Sequence, residues 1–99
     1  MVRHVIIWDF KDELTPEQKR EAAARMKREL EALYGVVEGL KSIKVVTEIL
    51  DSSNGDIMLD SEFEDKAALA YYADHPEHVK VKEFVRTAVK ARKCVDFEI

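Results

Sequence analysis

Hydrophobic and polar residues alternate strictly along the first stretch of the chain. From residue 3 to 11, His4, Ile6, Trp8 and Phe10 share one parity, while Val5, Ile7, Asp9 and Lys11 share the other. A period of two built from β-branched and aromatic side chains predicts a strand. The period then changes. Thr15-Pro16-Glu17-Gln18 puts a capping threonine before a proline at the first helical position, and the glutamine completes a capping box. Ala22, Ala23, Met26, Leu30 and Leu33 fall on one stripe of the predicted helix, and Gly35 is its natural stop. A second strand is predicted over roughly 41–50 and a third over about 56–63, joined by the turn Asp51-Ser52-Ser53-Asn54-Gly55. In the third, Ile57, Leu59, Ser61 and Phe63 oppose Met58, Asp60 and Glu62.

Asp65 caps a short helix running through Tyr72, with Ala68, Leu69 and Tyr72 as its inward stripe. Pro76 disfavours helical geometry at His75, so one helix must end and another begin there, with His75 as the cap. The restarted helix carries His78, Val81, Val85 and Ala88 on one face. Lys80, Lys82, Arg86 and Lys90 read as its solvated side, and a last strand covers roughly 93–98.

The order β-α-β-β-α-β predicts an α+β, ferredoxin-like domain, a four-stranded antiparallel sheet with helices on one face. The opposite face mixes Val5, Ile7, Val46 and Met58 with Asp9, Asp60 and Asp96 under the natural phasing. A monomer would leave those apolar groups in water, and complete burial would strand the carboxylates. Partial cover by a second copy of the sheet meets both demands, so a two-fold homodimer is expected.

Composition narrows the partners. Ninety-nine residues suit one domain, and a net charge of −4 without a polybasic run argues against nucleic-acid binding. Cys94 is the single cysteine, so no internal disulfide can form, and it reads as a half-buried strand thiol. No apolar run is long enough to span a membrane. These features together predict a soluble, cytoplasmic protein.

The chemistry concentrates in Tyr71-Tyr72-Ala73-Asp74-His75-Pro76-Glu77-His78, which with His4 holds all three histidines. The phasing turns His4, Tyr72 and His78 inward. They become the few polar groups of an expected pocket lined by Ile6, Trp8, Met26, Leu59 and Phe84, a composition typical of small-molecule sites. An imidazole there suits proton transfer near neutrality. His75 and His78 lie three apart, but His75 is the helix cap and no third ligand is identifiable, so no metal site is expected. The acidic turn from Asp51 to Asp56 lacks the spacing of a calcium loop.

His75-Pro76-Glu77-His78 at a helix start, with Tyr72 before it and Ser61-Glu62-Phe63-Glu64-Asp65 upstream, resembles the stress-responsive A/B barrel (Dabb) family. The resemblance runs from Arg3-His4-Val5 to Val95-Asp96-Phe97-Glu98, which makes residues 1–99 a single such domain. It implies a dimeric α/β barrel assembled from two sheets. In polyketide cyclases of that family a catalytic tyrosine and histidine match Tyr72 and His78, and a histidine on the first strand matches His4. That likeness implies proton abstraction beside a ketone followed by ring closure, with no cofactor. Two functions are therefore weighed. The favoured one is a family member without assigned activity that binds a small apolar or aromatic ligand between sheet and helices. The alternative is a cofactor-independent enzyme, cyclase-like or monooxygenase-like, using a Tyr/His acid–base pair.

Overall fold

A computed structural model describes residues 1–99 and orders them as β1 (Val2–Phe10), α1 (Pro16–Glu31), β2 (Leu40–Val46), β3 (Ile57–Phe63), α2 (Lys66–Asp74), α3 (Pro76–Ala88) and β4 (Val89–Glu98). The ferredoxin-like order holds, with the second helix divided in two at Pro76. The four strands form one sheet in the order β2-β3-β1-β4, and every pairing is antiparallel. No helix is long and apolar enough to cross a membrane.

The N-terminal capping signals act as read, while α1 ends at Glu31, short of Leu33 and of the expected stop at Gly35. The Thr15 side chain accepts from the Gln18 N–H while the Gln18 side chain accepts from the Thr15 N–H, closing the capping box of α1. Asp65 caps α2 through the Ala68 N–H. Along β1 burial alternates, with Val2, His4, Ile6, Trp8 and Phe10 all buried beneath the helices. Met26 and Leu30 from α1, Leu59 and Phe63 from β3, and Val81 and Val85 from α3 complete the core. Gly39, at the entrance to β2, has φ +89° and lies so close to α2 that a Cβ there would stand 2.6 Å from the Ala68 Cβ. Both constraints demand glycine.

Several expectations are corrected. The second strand ends at Val46 and leaves 47–50 unpaired. The β2–β3 ladder ends at the Val46–Met58 pair, so residues 47–50 have no strand partner. The last strand starts at Val89, four residues earlier than expected, and is bent by an irregularity at Asp9/Phe10. Lys90 therefore belongs to β4, where it bonds Asp12 at 2.7 Å, and is not part of a helix face. Asp96 lies on the helix side of the sheet, since it pairs directly with the inward-facing His4. Val95 and Phe97 take the outer side in its place, next to Val5 and Arg3.

Candidate functional site

The break between α2 and α3 builds the site. A helix end leaves carbonyls without intrahelical partners, and here side chains from the following helix supply donors. His78 Nδ1 lies 3.0 Å from the Tyr72 carbonyl, and Lys82 Nζ donates to the Ala73 carbonyl at 3.0 Å. His75 caps α3 by accepting from the Glu77 N–H. The short turn folds the His78 imidazole back onto the Tyr72 ring, with centroids 3.9 Å apart and planes 21° from parallel. The two side chains thus stack on one wall of the interior. His4 completes the group, its ring 6.2 Å from Tyr72 in an edge-on arrangement.

The hydrogen bond decides the His78 tautomer. A carbonyl can only accept, so Nδ1 carries the hydrogen and Nε2 keeps a lone pair in the neutral ring. Burial depresses the His78 pKa to about 4, overriding the carbonyl of Tyr72, and the nearby Lys82 charge acts in the same direction as burial. The imidazole is therefore a neutral acceptor at physiological pH. Burial likewise pushes the Tyr72 phenol above its ordinary value, and the Arg92 charge offsets only part of that. Tyr72 stays protonated.

His78 lines a cavity of about 370 Å³ together with Ile6, Trp8, Leu30, Lys82, Val85, Arg86, Val89 and Arg92. Ile6 and Trp8 are thus placed as sequence suggested. Met26 and Leu59 are fully buried in the core and do not line the cavity, and neither do His4 and Tyr72, which sequence suggested as its other polar groups. Phe84 faces a separate groove with Leu14 and Ala22, where the Arg25 guanidinium lies 3.8 Å over its ring. Leu30, Val85, Val89 and the three cations were not foreseen as lining. Lys82 and Arg86 read from sequence as a solvated helix face, and Arg92 lies before the stretch expected as the last strand.

A second cluster adjoins the Tyr72 ring. The Asp96 carboxylate hydrogen-bonds His4 Nδ1, and the Cys94 thiol approaches both, 3.4 Å from Asp96 Oδ1 and 3.6 Å from His4 Nδ1. Burial raises the Cys94 pKa and the Asp96 carboxylate raises it further, which favours the thiol form. Burial works upward on Asp96 too, but the hydrogen bond and charge of His4 outweigh it and leave the carboxyl below its ordinary value. These three side chains are the only group of histidine, cysteine and carboxylate donors close enough together to share a cation. Sequence spacing gave no hint of it, because the donors meet only through β1–β4 pairing.

A family model, the stress responsive A/B barrel domain, matches residues 2–99. The chain belongs to this family. No curated protein matches this Dabb chain, but solved structures do. It is similar to a dimeric protein of unknown function with a ferredoxin-like fold from Bacteroides fragilis, at 28% identity and a TM-score of 0.93 over 99% of this chain and 95% of that one. It is also similar to an Arabidopsis thaliana protein, at 24% identity and a TM-score of 0.79 over 100% and 95% of the two chains. A hydroxynitrile lyase from Passiflora edulis shares the fold at 14% identity, with a TM-score of 0.80 over 99% and 92%. Likeness to the last two establishes the fold alone.

Proposed function

We propose that this Dabb protein is a homodimer that binds a small apolar or aromatic molecule in the cavity between the sheet and α3. The observation that carries the reading is the cavity's make-up: Trp8, Ile6, Leu30, Val85 and Val89 form apolar walls around one neutral imidazole acceptor. Its volume of about 370 Å³ falls within the usual range for small-molecule sites. Dimerisation is supported by the outer sheet face, which exposes Ile7, Val95 and Phe97 around the ion pairs of Arg3 with Asp60 and Glu62. Those pairs neutralise the carboxylates that full burial would otherwise penalise. The Bacteroides relative is dimeric as well.

The test uses a neutral probe, para-butylbenzamide, and the fluorescence of Trp8, the only tryptophan. Binding should saturate, and Val85→Trp, which fills the cavity, should abolish it while the fold persists. Absence of saturable binding by para-butylbenzamide and by its carboxylate counterpart would overturn the reading.

A second reading, acid–base catalysis, is favoured by one observation: the stacked Tyr72–His78 pair offers a proton donor and a free Nε2 lone pair within one buried site. The lyase from Passiflora edulis illustrates that the scaffold can host catalysis. On this reading, His78→Ala should lower turnover of a poly-β-ketone roughly 100- to 10,000-fold, and Tyr72→Phe should slow it. Product formation undiminished in His78→Ala would exclude that role.

A further inference from the structure

The cavity has a charge of one sign. Lys82, Arg86 and Arg92 all line it, and no carboxylate does. None of the three forms an ion pair, so the positive charge at the cavity is not neutralised by a carboxylate of the protein. Lys82 is half-buried, and its ammonium spends one donor on the Ala73 carbonyl, leaving two. Arg86 and Arg92 are exposed, so they form the rim. They come from different elements, α3 and β4, and meet only because the strand runs back beneath the helix. The nearest acid on that strand, Asp96, is already engaged by His4.

Such an arrangement solves a recognition problem. An apolar body can rest against Trp8, Ile6 and Leu30 while an anionic head sits among donors at the mouth, where its desolvation is offset by charge-assisted hydrogen bonds. Guanidinium groups suit this best, because their paired N–H groups match the two oxygens of a carboxylate. We infer that the ligand is an apolar monocarboxylate, its hydrocarbon part enclosed by the cavity walls and its carboxylate held by Arg92, Arg86 and Lys82. This rests on the ligand-binding reading above and specifies the chemistry of its ligand.

The decisive experiment is a matched pair, para-butylbenzoate and para-butylbenzamide, titrated into the full-length protein by calorimetry and by the Trp8 fluorescence change. The two probes share shape and apolar surface and differ in charge. The carboxylate should bind at least about tenfold more tightly, the gain conferred by one charge-assisted hydrogen bond of ordinary strength. That advantage should shrink as salt rises. Arg92→Gln and Lys82→Met should each erase most of it, lowering the carboxylate's affinity far more than the amide's. Equal affinities for the two probes, or a preference that survives Arg92→Gln combined with Lys82→Met, would overturn the anionic assignment and leave the apolar cavity standing. If neither probe binds, both readings fall. Melting curves and the amide control separate a lost charge contact from a lost fold.

Discussion

The two faces of the sheet have similar alternation and opposite fates. On the side covered by α1, α2 and α3, Ile6, Trp8 and Phe10 are about 5% exposed or less. On the other side, Ile7, Val95 and Phe97 retain 42%, 57% and 43% of their exposure. Periodicity marks both sets as belonging to a strand, but only the helices decide which set becomes core. The polar residues differ in kind as well. Against the inner face, the Tyr72 ring lies between His4 and His78, whereas the outer face places Arg3 against Asp60 and Glu62.

Four changes break or sharpen that contrast. Ile7→Lys puts a charge in the middle of the outer face and should convert a dimer to monomer at micromolar concentration, as followed by sedimentation velocity. A wild-type protein that sediments as a monomer would remove the case for that face as an interface. On the inner face, Leu59→Ala opens a cavity in a fully buried site and should cost about 3 kcal/mol in urea unfolding. In the Ile7→Lys background, Val95→Ala should change stability by no more than about 0.5 kcal/mol, as surface substitutions usually do. Similar costs for the two would mean that the faces are equally packed.

The third change is in pH. His78 has a folded pKa of about 4 against 6.5 in the ordinary state, so the unfolded chain binds more protons between those values. Its contribution is fully present above pH 6.5 and is lost as the pH falls toward 4. The loss should be on the order of 2 kcal/mol, measured by urea titrations across that window, and His78→Gln should flatten it. A wild-type profile that matches the variant would place the imidazole in water. The fourth change, Pro76→Ala, loosens the start of the covering helix. It should cost about 0.5 to 1 kcal/mol and speed hydrogen exchange from Tyr72 to Val81. Unchanged exchange there would make the proline incidental.

Much of this was legible from residue order because it is local. Thr15 and Gln18 cap α1, Asp65 caps α2, and Pro76 divides the second helix, each through contacts within a few residues. The inward phasing of His4, Tyr72 and His78 was legible for the same reason. The errors cluster where a strand depends on its partner. The second strand stops at Val46 because β3 offers nothing beyond Ile57, and β4 starts at Val89 because β1 pairs that far. The earlier start brings Arg92 opposite Trp8, and the β1–β4 register turns Asp96 to the helix side.

Element type, caps, the helix break and the inward set of polar side chains are thus determined by the chain itself, since short-range sterics and hydrogen bonding act between near neighbours. The tertiary structure alone decided which residues share a space. His4 and Asp96 are 92 positions apart, and Trp8 meets Arg92 across the β1–β4 pairing with 84 residues between their numbers. No periodicity encodes such meetings. Strand register sets them, and register is chosen by the whole sheet and the helices packed upon it.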